Sequence, residues 1–213
     1  MIAAKRTLSS GTLLAALCAT VWLVSAWQPS ERDTWLLEQI ASVAGVLTLL
    51  WVSRRVQLTL SAQLGIALFF CIHTIGTHYT YSLTPYDTLA QELFGSSINE
   101  LFGWERNHYD RFVHFAYGLC VATPAQQMLK ALHGLPWRSC ALYSFHLIVS
   151  TSAIYELLEW AAAVVLSDGS TLFLGTQGDV WDAQVDMALA ALGAALVLTA
   201  SWMLRGRSNS GRN

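Results

Sequence analysis

The chain is organised by long apolar runs, each ended by a short cluster of polar, proline or glycine residues. Six runs have the length, about 20 residues, needed to cross about 30 Å of hydrocarbon as helices. They are Gly11 to Trp27, Trp35 to Val52, Leu58 to Tyr81, Phe112 to Leu132, Ala141 to Val165 and Ala183 to Leu204. The fourth is the weakest, because Pro124, Gln126 and Gln127 interrupt it. Its membrane part is expected to end near Pro124, with an interfacial tail beyond. Trp27, Trp35, Trp51, Trp137 and Trp202 fall near run ends, where indole rings favour the headgroup region. The pattern predicts an all-α, polytopic membrane helix bundle in which residues 1–213 form a single domain.

The longest connection, residues 82–108, contains two short runs, Thr88 to Phe94 and Ile98 to Phe102, whose Leu and Phe residues recur at helical spacing. It is longer than a connector needs to be. Lying in the interface and capping the mouth of the bundle both fit its pattern.

Composition agrees with a membrane protein. Of the 213 residues 54% are hydrophobic and only 12% charged, and the mean hydropathy is +0.42. Soluble domains carry about 25% charged residues. The formal net charge of −2 offers no basic field for nucleic acid. Cys18, Cys71, Cys120 and Cys140 are scattered singly and read as small hydrophobes, with no disulfide or zinc framework.

The loops supply orientation. Lys5, Arg6, Arg54, Arg55, Lys130, Arg138, Arg205, Arg207 and Arg212 fall on one side of the spans, and Arg32, Arg106 and Arg111 on the other. The positive-inside rule makes the first side cytoplasmic, together with both termini. Lys5-Arg6, the first apolar run and Val24-Ser25-Ala26 also fit a signal peptide, but Trp27-Gln28-Pro29 disfavours cleavage. A retained first helix is therefore expected.

Against this background the ionisable residues stand out. Asp110, His114, Glu156, Glu159, Asp179, Asp182 and Asp186 lie inside or at the edges of apolar runs. A carboxylate in a bilayer costs about 2.5–3.5 kcal/mol on insertion scales unless it is paired, protonated, metal-bound or wetted. The proposed orientation brings all seven to one level near the outer face. Asp110 and His114 are spaced i,i+4, Glu156 and Glu159 i,i+3, and Asp182 and Asp186 i,i+4, so each pair shares a helix face. Carboxylates with an imidazole on facing helices suit a divalent metal. The same groups equally suit a proton relay.

Structural roles compete for several of these positions. Asp179 reads as an N-cap, Asp110 can cap the fourth helix, and Asp182 suits the helix dipole. One of Glu156 and Glu159 can pair with Arg111 simply to lock the bundle. Asp186 lies a further turn in, beyond the dipole's reach, and favours a functional role. His73 reads as a packing histidine and His108 as a loop residue, with His78 undecided. His133 and His146 fall on the cytoplasmic side and away from the cluster. Ser152 is one turn from Glu156, but no Ser-His-Asp arrangement is readable. Gly193 is placed to allow close approach of helices.

Three stretches, Arg106 to Phe115 (RNHYDRFVHF), Tyr155 to Trp160 (YELLEW) and Phe173 to Met187 (FLGTQGDVWDAQVDM), together resemble the YjdF-like family of bacterial inner-membrane proteins, a domain of unknown function. The resemblance covers roughly Leu58 to Leu204. It implies a multi-pass protein of the bacterial inner membrane and no established activity. A fainter similarity is to VanZ-like membrane proteins, through Asp110, Arg111, His114, Glu156 and Asp182. The sequence departs from that pattern at Glu159 and Asp186, where amides are expected, and at Leu189, where glycine is expected.

Three functions are compatible with these residues. The first is an outer-face hydrolase or transferase acting on a lipid or envelope precursor. There a divalent metal would be held by His114 with two or three of Glu156, Glu159, Asp182 and Asp186, and Asp110 would orient His114. The second is a proton- or metal-coupled transporter, and the third a non-catalytic scaffold in which the cluster locks helices together. The lipid bilayer is the expected environment and nucleic acid is not a partner.

Overall fold

The computed structural model describes residues 9–166 and 176–210. Lys5, Arg6, the start of the third motif at Phe173 to Gly175, and Arg212 lie outside the described residues. Among those described, eight helices follow one another: α1 Ser10–Ser25, α2 Arg32–Ser53, α3 Leu60–His78, α4 Tyr86–Phe94, α5 Ile98–Phe102, α6 Tyr109–His133, α7 Trp137–Leu166 and α8 Asp182–Ser210. No strand occurs among the described residues. The six apolar runs correspond to the six longest helices. Four of these, α2, α3, α7 and α8, are long and apolar enough to cross a bilayer. α1 is apolar but only 16 residues long, and α6 carries too many polar side chains.

The polarity of α6 follows from its place. It packs against α3, α7 and α8, and ten of its residues are buried, among them Asp110, His114 and Gln126. A helix walled in by other helices has little lipid to satisfy. The helix also runs unbroken through Pro124 to His133, so no break in the helix marks the expected change to an interfacial tail. Proline lacks the N–H that would bond the carbonyl four residues earlier, at Cys120. Gly65 of α3 packs against that carbonyl, and a Cβ there would stand 2.8 Å from it.

The crossing of α6 and α8 is closer still. A Cβ on Gly118 would collide with the carbonyl of Ala190, and one on Gly193 with the carbonyl of Phe115. The two backbones therefore touch, as small residues permit between membrane helices. The expected role of Gly193 is borne out, and Gly118 is its counterpart. Ala122, Ile148, Ala190, Ala194 and Leu198 form the apolar core below this crossing.

In the 82–108 connection, α4 and α5 pack on each other. Asp87 accepts hydrogen bonds from Ser97 Oγ (2.7 Å) and Asn99 N (2.8 Å), which tie the start of α4 to the start of α5. Leu89, Leu93, Phe94, Leu101, Phe102 and Trp104 remain exposed on it. At the opposite end of the bundle Arg205 lies over the Trp137 ring at 3.7 Å, joining the end of α8 to the start of α7.

Candidate functional site

The ionisable side chains of five helices gather at the end of the bundle to which the 82–108 connection is hydrogen-bonded. The first turns of α6 and α8 meet there because the glycine crossing draws the two helices together. Asp110 and His114 face inward from α6, Asp182 and Asp186 from α8, and Glu156 from α7. Asp110, His114, Asp182 and Asp186 are all buried.

His114 is the hub. Its Nε2 lies 3.2 Å from Glu156 Oε1 and 3.7 Å from Asp110 Oδ1. Its Nδ1 faces Ser152 Oγ at 3.4 Å. Asp110 and Glu156 thus approach the same nitrogen, and Ser152 is the group on the other. Asp110, expected to orient His114, shares Nε2 with Glu156, and the group facing Nδ1 is Ser152.

Two triads of ligand atoms share Asp186. His114, Glu156 and Asp186 form one, Asp110, Asp182 and Asp186 the other, and within each triad the ligand atoms lie within 4.8 Å of one another. Glu156 Oε1 and Asp186 Oδ1 are buried without an aligned hydrogen-bond partner. Buried carboxylate oxygens are normally satisfied, so the donor set fits a cation between the triads. Glu159 lies outside both triads, on the Tyr155 side of Glu156 and within hydrogen-bonding reach of each.

Above the triads, arginines bind the other acids. Arg106 Nη1 donates to Asp182 Oδ1 (2.7 Å). Arg111 Nη2 donates to Asp179 Oδ2 (2.5 Å) and lies 3.3 Å from Asp182 Oδ1. Arg111 therefore locks α6 to the start of α8, and neither Glu156 nor Glu159 is its partner. Asp179 accepts from Trp181 N at 2.9 Å, which shapes the turn before α8. This hydrogen bond first, and Arg111 after it, hold the Asp179 carboxyl below its ordinary range. Asp110 makes no cap hydrogen bond; the residue before α6 is His108, and its side chain does not cap the helix either. The segment is pinned from outside by the Gln177 amide, which accepts from Asn107 N (2.8 Å) and donates to Asn107 O (2.9 Å). His108 stacks on Trp104 at 4.2 Å, and burial together with the two arginines lowers its pKa.

Several participants escaped the sequence reading. Glu38 of α2 is 4% exposed and accepts a 2.6 Å hydrogen bond from Tyr155 OH. It is an acid well inside an apolar helix, the same signal that singled out Asp186. His73 is held between Ser42 Oγ (3.0 Å) and Tyr81 OH (2.6 Å), so its packing role is joined to a polar chain leading into the site. Tyr81 is aimed there by a strained turn in which Thr80 and Tyr81 have φ of 54° and 50°. Gly76 leaves room for the Tyr81 ring, which would stand 2.6 Å from a Cβ at that position. His78 bonds the Ser25 carbonyl at 2.9 Å and stands apart as a structural link to α1.

A cavity of about 600 Å³ reaches from this site down the bundle between α2, α3, α6 and α7. Asp110, His114, His73, Tyr81 and Tyr155 line its polar end, and Leu58, Val121, Ala125 and Met128 its apolar end.

Comparison with known proteins agrees with the motifs. Residues 11–207 match a family described as predicted membrane protein (DUF2238). The chain is 37% identical over 167 residues to inner membrane protein YjdF of Escherichia coli (strain K12), covering 77% of this chain and 75% of that one. No solved structure matches. The chain belongs to the DUF2238 family of membrane proteins and has an inner-membrane homologue; this is the family the three motifs resemble.

Proposed function

We propose that the chain spans the inner membrane six times with both termini in the cytoplasm, and that its polar end is an outer-face metal site for hydrolysis or group transfer on a lipid or envelope precursor. The orientation rests on the basic residues: Arg54, Arg55, Lys130, Arg138 and Arg205 all belong to the end away from the acids. The metal reading rests on one observation. Glu156 Oε1 and Asp186 Oδ1 are buried and unsatisfied beside His114 Nε2, an arrangement that a divalent cation would satisfy.

The cluster joins the carboxyls of Glu38, Asp110, Glu156, Glu159, Asp179, Asp182 and Asp186 with the guanidiniums of Arg106 and Arg111. Like charges so close cannot all ionise without protons or cations between them. A bound metal supplies a Lewis acid and an activated water. The chain's own contribution is to fix His114 through Ser152, to hold Asp182 in place with Arg106 and Arg111, and to keep Asp110, His114, Asp182 and Asp186 buried. Glu156 and Asp110, both facing His114 Nε2, are the carboxylates positioned to take or return a proton.

The transport reading is weaker, because the lower cavity wall offers no ionisable group to continue a relay. Elemental analysis of detergent-purified protein tests the proposal. Bound divalent metal is expected, and it should vanish in the Glu156→Ala, Asp186→Ala double variant. Fully stable wild-type protein without metal, even after incubation with zinc or manganese, would sink it.

A further inference from the structure

We infer that the cavity holds one hydrocarbon chain of a membrane lipid, admitted sideways from the bilayer between α2 and α7, with the lipid's polar end at Asp110 and His114. The inference deepens the proposed function and rests on it for the chemistry at the polar end.

The dimensions suit a chain. Along α6 the lining runs from Asp110 to Met128, a rise of about 27 Å at 1.5 Å per residue. The cavity is therefore long and narrow, about 600 Å³ in all, within the range of about 300–1,000 Å³ typical of ligand sites. Polarity is graded along it. Charged and imidazole groups crowd one end, whereas Leu58, Val121, Ala125 and Met128 close the other. Thr48 and Thr151 lie on the wall but spend their hydroxyls on carbonyls of their own helices. An amphiphile with its head up and its tail down matches this gradient.

The entrance is built into α2. Its inward stripe reads Trp35, Glu38, Ser42, Gly45, Leu49 and Val52 at helical spacing. Trp35, Glu38, Ser42 and Val52 are buried, so the helix is fastened at both ends. Glu38 accepts from Tyr155 and Ser42 bonds His73, which forms the upper fastening. Gly45, in the middle of the stripe, is exposed, and a Cβ there would meet nothing within 4 Å. The middle of α2 therefore stands off from the bundle. Because α2 and α7 are both long and apolar enough to cross a bilayer, the opening between them faces hydrocarbon.

The test uses the full chain in lipid nanodiscs containing phosphatidylglycerol with a photoactivatable diazirine at the end of one acyl chain. Crosslinks are mapped by mass spectrometry, and metal content is measured on the same samples. Wild-type protein should crosslink at Val121, Ala125 or Met128, inside the bundle. Gly45→Trp and Ala44→Phe should each lose those crosslinks, whereas Leu47→Trp, outside the lining, should keep them. Crosslinks confined to the outer surface of the helices, or interior crosslinks unchanged in both cavity variants, would overturn the assignment. Interior crosslinks in protein that binds no metal leave the lipid assignment standing and sink the metal reading. Metal without interior crosslinks does the reverse.

Discussion

His114 Nε2 and Glu156 Oε1 approach to 3.2 Å without hydrogen-bond alignment, so α6 and α7 present a nitrogen and an oxygen to the same point in space. Ser152 Oγ, on α7 one turn before Glu156, faces the other ring nitrogen. A metal-bound histidine depends on the group at its far nitrogen for ring orientation, and loss of such a group costs about 10–100-fold in metal affinity. Ser152→Ala is expected to weaken binding by that range, and Glu156→Ala to abolish it. Competition against a chromophoric chelator measures both. Equal affinity in Ser152→Ala and wild type would remove Ser152 from this role.

The arginine lock makes a separate prediction. Asp182 is buried beside Asp110 and Asp186, and Arg106 is its nearest cation at 2.7 Å. Arg106→Ala leaves a buried carboxylate short of a partner and should cost about 1–3 kcal/mol. Asp182→Asn placed on that background should recover part of the loss, because the stranded charge is gone. Thermal unfolding of the four proteins in detergent gives the coupling. Strictly additive effects would mean that the two side chains do not depend on each other.

Acid should loosen the same end of the molecule. The Asp179 carboxyl is held below its ordinary value of 3.8 by the Trp181 N–H and then by Arg111. A group whose folded pKa is depressed contributes stability above its unfolded pKa and loses it as pH falls through the folded value. The contribution of Asp179 is thus complete above about pH 5 and fades below about pH 4. Asp179→Asn should lower the melting temperature near neutral pH and flatten its decline in acid. A variant whose melting curve parallels the wild type from neutral to acid pH would contradict this.

Much of the fold was legible because hydrocarbon imposes a length on each helix, and the six runs match the six long helices to within a few residues. The gathering of the acids at one end of the bundle was legible for a related reason: acids inside apolar runs are costly and mark the positions that must find partners. Glu38 carried the same signal as Asp186 but had no acid or histidine at i,i+3 or i,i+4 to mark it. Tyr81, Tyr155 and Ser42 were hidden because aromatic and hydroxyl residues are ordinary in such helices. Their roles depend on a strained turn and on which neighbours α2 meets. The continuation of α6 through Pro124 could not be read locally either, and neither could the close approach of Gly65 to the carbonyl that the proline leaves free. The cavity exists because α2 is fastened only at its ends, a property of assembly that no single segment encodes.

The glycine crossing links stability to the site. Gly118 has the carbonyl of Ala190 where a side chain would start, and Gly193 has the carbonyl of Phe115. Because backbone fills both positions, no rotamer change can make room, and Gly118→Ala must push α6 from α8. Overpacking of this kind costs about 1–3 kcal/mol. The displacement also acts at a distance. His114 and Asp110 lie one and two turns up α6 from Gly118, and Asp186 and Asp182 one and two turns up α8 from Ala190, so separating the helices pulls the two triads apart. Gly118→Ala should therefore lower both the melting temperature and the metal affinity. Gly45→Ala, where a Cβ meets nothing within 4 Å, should change neither. If Gly118→Ala lost stability while binding metal as tightly as wild type, the crossing would serve folding alone and the triads would be positioned by the arginine lock.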